Sequence, residues 1–288
     1  MRLSTSTNIY FNRPDGSKAA ITDSIARCAR AGYRVMDMNF HDCCTFRHEF
    51  VTEGYEAWLE EVARCARDWG VSFSQAHAPF YNFCDGGFDR REEMDELIRR
   101  SVRCAARLGI PWLVIHAGTD FAAADWRKKS LEKNLRYFRP LLDYAAGEGV
   151  GLAIENLWDL NIAPRRRYTA QPEELLELVD RLDSPMAGVC CDVEHAAIMG
   201  QDPAAVLRLL GGKLRATHIS DFINIDSDHL LPFTGRVQWT PVMEALREVG
   251  YAGDFTYEIH RYTATLPDAL AQDALAYSVK VGEYLLSL

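Results

Sequence analysis

The sequence predicts a single α/β domain, a (β/α)8 TIM barrel spanning residues 1–288 with its active site at the C-terminal mouth of the strands. Three observations predict it. Short apolar runs alternate with amphipathic stretches from one end of the chain to the other, which implies a parallel sheet. Residues able to bind a metal recur where those runs end, and a barrel gathers its strand ends at one mouth. No linker or low-complexity stretch divides the chain, and a barrel of roughly 250 residues is an ordinary single domain. No GxGxxG or GxxxxGKS/T phosphate loop follows the first strand, which argues against an open nucleotide-binding sheet and against a nucleotide cofactor.

The strands are expected at Arg2–Ser6, Arg34–Asn39, Val71–Ala76, Trp112–His116, Gly151–Glu155, Ala187–Cys191, Arg215–Ile219 and Phe255–Ile259. Helices are expected at Ala19–Ala31, Gly54–Trp69, Arg91–Leu108, Leu131–Glu148, Pro172–Leu182, Pro203–Leu210, Pro241–Val249 and Leu266–Leu286. Gly32, Gly70, Gly109, Gly149 and Gly250 follow helical patterns as C-terminal stops. Pro172 and Pro241 sit where a first helical turn tolerates proline. The long connections, 40–52, 80–90, 158–171 and 221–239, follow strands and so surround the mouth. Phe80, Tyr81, Phe83, Trp158 and Phe222 lie in them and are suited either to walling off a small substrate or to packing the loops down.

The net charge of -9 argues against a nucleic-acid partner, because phosphate binding needs a basic face. No apolar run approaches the roughly 20 residues that span a bilayer, and MRLSTSTNIY lacks a signal-peptide pattern. The eight cysteines contain no CxxC pair, so reduced thiols in a cytoplasmic enzyme are expected.

The candidate ligands are His77 in AHAPF, His116 in VIHAG, Glu155 in AIENL, Asp192 and His195 in CCDVEHA, His218 in ATHIS, His229 in DHLLPF and Glu258 in TYEIH. Glu155, Asp192, His218 and Glu258 form the strongest set, since they end the fifth to eighth apolar runs. Any one of them alone is better explained by a hydrogen-bonded strand end. Together, three carboxylates and one imidazole suit one divalent cation. Manganese is preferred, with magnesium, cobalt or zinc as alternatives.

Taken in order, HAPF, VIHAG, AIEN, CDVEHA, THISD, DHLLPFTG and YEIH resemble the xylose isomerase-like barrel superfamily over nearly the whole chain. That group holds sugar and sugar-phosphate isomerases and epimerases, inosose and dehydroshikimate dehydratases, and apurinic endonucleases of the trinuclear zinc type. The resemblance implies that Glu155, Asp192, His218 and Glu258 hold the metal, as in its ketose 3-epimerase branch. It also implies that His195, with His77, His116, His229 and Arg236, binds substrate. In the endonucleases an aspartate stands two residues before the position of His229. Here that position is Ser227, flanked by Asp226 and Asp228, so the endonuclease pattern is broken.

The implied activity is isomerisation or epimerisation of a sugar or sugar phosphate. A proton moves through an enediolate, a divalent cation stabilises its charge, and Glu155 and Glu258 act as acid and base. A dehydratase shares the first half of that mechanism and is the alternative; an apurinic endonuclease or a non-catalytic sugar-binding subunit ranks lower. The expected partner is a small sugar or polyol, and the resemblance implies a homo-oligomer, a dimer or tetramer. The run Arg165–Arg167 is a candidate for a substrate phosphate or carboxylate, or else a solvated charge run. Arg261 is a further candidate, Asn156 is expected to fix the Glu155 carboxylate, and Trp112 and Trp126 are expected to pack.

Overall fold

The computed structural model describes residues 1–44, 48–159 and 166–288. Its strands are β1 (Leu3–Ser6), β2 (Val35–Asn39), β3 (Ser72–His77), β4 (Trp112–Ile115), β5 (Gly151–Glu155), β6 (Ala187–Asp192), β7 (Leu214–His218) and β8 (Phe255–Tyr257). They form one parallel sheet in the order β7-β6-β5-β4-β3-β2-β1-β8. Its two ends meet. The Ile219 N–H donates to the Thr256 carbonyl at 2.8 Å, and the Glu258 N–H donates to the Ile219 carbonyl at 3.1 Å. The sheet therefore curls into a TIM barrel, as the strand–helix alternation implied.

The helices are α1 (Ile21–Ala31), α2 (Tyr55–Trp69), α3 (Arg91–Arg107), α4 (Trp126–Gly147), α5 (Pro172–Leu182), α6 (Val193–Ile198), α7 (Pro203–Leu210), α8 (Trp239–Glu248) and α9 (Asp268–Ser287). The glycine stops fall where expected. Gly70, for example, is left-handed at φ 64°, and its N–H returns to the Ala66 and Arg67 carbonyls.

Most elements shift by a residue or two at their ends, and the larger differences are two helix starts and one extra helix. Helix α4 begins at Trp126 rather than Leu131, because its charged first turn lacks an apolar stripe yet consists of good helix formers. Helix α8 begins at Trp239 rather than Pro241. The Trp239 indole is buried and donates to Asp221 Oδ2 at 3.1 Å, which pins the first turn one step earlier. Pro241 then sits third in the helix, where a backbone N–H has no intrahelical partner to lose. Helix α6 follows β6 without a loop and was not anticipated.

Two layers inside the barrel carry the mouth. At the bottom, Val114, Ala153, Cys190 and Ala216 cluster against Trp112. Trp112 lies over Gly151, where a Cβ would come within 2.3 Å of the indole; it is a packing residue, as expected. Alongside lies a buried polar layer, whose Gln75 pairs with Trp112 in the sheet. The Gln75 amide donates to Asp37 Oδ2 at 2.9 Å, and the Thr256 hydroxyl donates to Gln75 Oε1 at 3.2 Å. All eight cysteines are free thiols. Among the described residues, no helix is long and apolar enough to cross a membrane.

Candidate active site

The register of the strands brings the predicted ligands to one level. Asp192 on β6 pairs with His218 on β7, and Glu155 on β5 pairs with Cys190. A register shift between Val189 and Cys190 sets the first pairing, because one extra residue advances the strand end by a step. Glu155, Asp192, His218 and Glu258 each offer a ligand atom, and those atoms lie within 4.8 Å of one another. All four are buried.

Glu155 is the hub. Its Oε2 faces His116 Nε2 at 2.9 Å and His77 Nε2 at 3.3 Å. Its Oε1 faces His218 Nδ1 at 3.0 Å and His195 Nδ1 at 3.6 Å. His218 Nδ1 also lies 3.1 Å from Glu258 Oε2, while its Nε2 points down toward Asp37 Oδ2 at 3.8 Å. The polar layer thus orients the imidazole that faces the two glutamates.

Asp192 has two distinct tasks. Its Oδ1 accepts the His195 N–H at 2.8 Å and so caps α6. Its Oδ2 is buried without a hydrogen-bond partner. An orphaned carboxylate oxygen among three other oxygen and nitrogen donors fits a cation, which would satisfy it. The cap was not read from the sequence, although an aspartate directly before VEHAAI is a helix-start signal.

Helix α6 then aims two neighbouring residues apart. His195 donates Nδ1–H to the Asn156 carbonyl at 2.8 Å, which leaves Nε2 as its second nitrogen. Glu194, which sequence reasoning missed, accepts the His229 N–H at 2.8 Å and groups with Asp228 and His229. Burial, aided by the charge of Asp192, pushes the Glu194 carboxyl up to about 10.

The expected role of Asn156 needs correction. Its side chain clasps the Asp192 backbone, accepting from N at 2.7 Å and donating to O at 2.9 Å, rather than fixing the Glu155 carboxylate. The sequence placed it beside Glu155, but alternation along the chain turns it toward β6.

The histidines and Glu258 border a cavity of about 270 Å³, with Asp192 and His218 beneath. His77, His116, Glu155, His195, His229 and Glu258 line it as expected. Sequence reasoning missed Asn8, Asn39, His41, Asp42 and His260, which line it too. His41 and His260 each follow a strand end by two or three residues, the same signal that found the others. Burial drives the His41 imidazole down to about 3 and holds His260 well below its ordinary value, so both are neutral.

Arginines fare differently. Arg236 is exposed and is not among the cavity's lining residues; its loop is held by Asp221, which accepts the Phe222, Phe233 and Val237 N–H groups. Arg261 is spent on the loop before His229, with Nε 2.7 Å from Asp228 Oδ1. Arg165 lies outside the described residues. Arg166 is buried and makes two bonds of 2.9 Å to Glu174, with its guanidinium 5.2 Å from the Trp126 ring. Of the described pair, only Arg167 lines the cavity. The charge run therefore divides into one structural and one cavity arginine. Arg166→Met is expected to lower stability by about 2 kcal/mol, because Glu174 loses two charged hydrogen bonds but keeps Arg127, whose Nε lies 2.7 Å from its Oε1. Thermal unfolding checks this.

Ionisation follows burial and neighbours. Burial disfavours the Glu155 anion, but His218 and His116 outweigh it and hold the carboxyl well below its ordinary range. Burial pushes Glu258 up to about 7, with the Glu155 charge adding to the rise and His218 opposing it. Burial and the Glu155 charge raise Asp192 to about 6. Burial opposes a charged His77, yet its bond to Glu155 prevails and lifts it to about 9.

These directions set a sign for metal affinity. Groups that hold protons near pH 6 must release them to ligate a cation, so affinity rises with pH. Binding is expected to be at least about tenfold tighter at pH 8 than at pH 6, read by competition with a chromophoric chelator. A flat profile between those values would remove the ligand assignment.

Comparison with known proteins places the fold. The chain is 29% identical over 234 residues to the uncharacterized protein y4fM of Sinorhizobium fredii, covering 80% of this chain and 72% of that one. Among solved structures it superposes on a D-psicose 3-epimerase from Clostridium cellulolyticum H10, crystallised with D-tagatose, at TM-score 0.76 and 16% identity, covering 99% of each chain. It superposes on the 3-keto-D-glucoside 4-epimerase YcjR from E. coli at TM-score 0.74 and 18% identity, covering 97% of this chain and 99% of that one. The family model for the xylose isomerase-like TIM barrel matches residues 25–280, and with the barrel and its converging strand ends this makes the chain a member of that family.

Proposed function

We propose that the protein is a divalent-metal-dependent carbohydrate epimerase or isomerase. The observation that carries this reading is the placement of Glu155 and Glu258, both 3.0–3.1 Å from His218 Nδ1, at the base of one small cavity ringed by histidines. Glu155, Asp192, His218 and Glu258 would hold the cation, manganese by preference for an oxygen-rich donor set. When bound, it supplies Lewis-acid stabilisation of negative charge on a sugar oxygen.

The chain's own residues do the rest. Removing a proton beside a carbonyl needs a base, and returning it on the other face needs an acid. The two glutamates have their ionisation pushed apart, with Glu155 held as the anion and Glu258 near 7, which suits one to accept and the other to donate. His77 and His116 keep Glu155 in place through Oε2. His195, fixed through Nδ1 and with Nε2 3.5 Å from Asp192 Oδ2, would offer that second nitrogen at the cavity. Phe80 and Trp158 border the cavity and exclude water. Solved neighbours that are named as sugar epimerases support the same substrate class.

The test is exchange in deuterated water. Metal-loaded protein is incubated with a panel of ketoses, inososes and their phosphates, followed by mass and proton NMR. Deuterium on carbon with mass otherwise kept is the expected result. Loss of water would replace the reading with a dehydratase, and nicking of an abasic duplex would replace it with an endonuclease. The latter runs against Ser227, which turns back on Asn224 while Asp228 is held by Arg261.

A further inference from the structure

A second cavity, of about 500 Å³, abuts the first and has a different character. The two share His41, Phe80, His116, Leu157 and Arg167. Phe80 forms the partition. Its ring is stacked against His41 at 3.9 Å and 11° and against His116 at 4.0 Å and 24°. Beyond it the wall is Tyr81, Phe88, Met94, Ala117 and Phe121. Phe80 and Phe121 border it with 36% and 42% of their surface exposed.

Apart from Arg167 and Cys44, most polar groups in this wall are engaged by the protein. The Tyr81 hydroxyl donates to Asp95 at 2.6 Å. Asn82 accepts the Thr119 N–H at 2.8 Å and donates to the Thr119 carbonyl at 2.9 Å. Thr119 Oγ1 accepts the Tyr168 N–H at 2.8 Å. Arg90 makes two bonds to Glu93. A second sugar ring placed here would leave hydroxyls poorly paired, whereas a flat apolar group would cover aromatic faces.

We propose that the substrate is a carbonyl-bearing sugar with a flat apolar substituent, such as an aryl glycoside of a keto sugar, which keeps the carbonyl that proton transfer requires. Its sugar unit occupies the metal cavity and its substituent occupies the aromatic cavity beyond Phe80. This rests on the reading of the first cavity as a sugar site. It extends that reading from a free small ketose to a two-part ligand, and it gives the shared wall of Leu157 and Arg167 the role of flanking the link between the parts.

The test is calorimetric titration of the manganese-loaded full chain with phenyl β-D-glucopyranoside, methyl β-D-glucopyranoside and cellobiose. The phenyl glycoside is expected to bind at least about tenfold more tightly than the methyl one, the range that one well-packed apolar group supplies. Phe121→Ala and Phe88→Ala are expected to cut that preference to about threefold or less. Both variants should leave methyl glycoside binding and deuterium exchange into D-fructose unchanged. Equal affinity for phenyl and methyl glycosides would overturn the second site alone, and so would a preference that survives both variants. Cellobiose binding more tightly than the phenyl glycoside would replace the apolar substituent with a second sugar. No binding by any of the three, together with no exchange into any ketose, would overturn the sugar reading and this inference with it.

Discussion

Glu258→Gln is expected to lower turnover by about 10³-fold, the span that general acid–base catalysis usually contributes. Metal affinity should fall by at least about tenfold, since even residues behind the ligands cost that much when altered. The substitution isolates chemistry from folding. The contacts of Glu258 that organise the mouth are made by its backbone: its N–H donates to Ile219, and its carbonyl meets His229 Nδ1 at 3.0 Å. Gln keeps both, along with the volume of the side chain. What it loses is a titratable oxygen 3.1 Å from His218. Steady-state exchange and metal titration on the variant check the two halves separately. Turnover within threefold of the parent would refute the acid–base role, whatever happened to the metal.

Asp192→Asn is expected to weaken metal binding by about 10- to 100-fold while leaving thermal stability nearly unchanged. The reason is the split between its two oxygens. Oδ1 caps α6, and asparagine caps as well as aspartate does. Oδ2 is the orphan that a cation would satisfy, and an amide there carries no charge to offer. Asp192→Ala makes the contrast, removing cap and ligand together, with an added stability loss of about 1 kcal/mol. Should the Asn variant bind metal as the parent does, Oδ2 has another purpose and the four-residue site fails.

Much of this site could be read along the chain because a parallel barrel imposes a simple rule. Every strand runs the same way, so each apolar run ends at the same mouth, and a polar residue at such an end faces it. That rule located Glu155, Asp192, His218 and Glu258 without contacts of any kind. The same rule, extended two or three residues past each strand end, would have found His41 and His260. It had no way to find Glu194, which comes from α6, a helix too short for its periodicity to stand out.

Arginine roles were the weakest inference. Charge in sequence says nothing of direction, and the side chain of Arg reaches far enough to serve a loop, a helix or a cavity. Arg166 turned inward to Glu174, Arg261 to Asp228, and Arg167 to the mouth, though two of the three are neighbours in sequence. Asn156 was misassigned for a related reason, since adjacency to Glu155 implied a shared task while the pleat sent the two side chains to different partners.

By itself, then, the sequence determined what is periodic: the alternation of strand and helix, the glycine stops, and the level at which candidate ligands emerge. Backbone propensity and hydrophobic spacing act locally, so they can be read locally. Tertiary structure decided what depends on distance between segments remote in the chain. It set the register shift that puts Asp192 opposite His218, the orphaned oxygen of Asp192, the ring of histidines about Glu155, and the Phe80 partition that creates a second cavity. Those features follow from how curled strands and long loops pack against one another, and packing is a property of pairs that no single stretch of sequence contains.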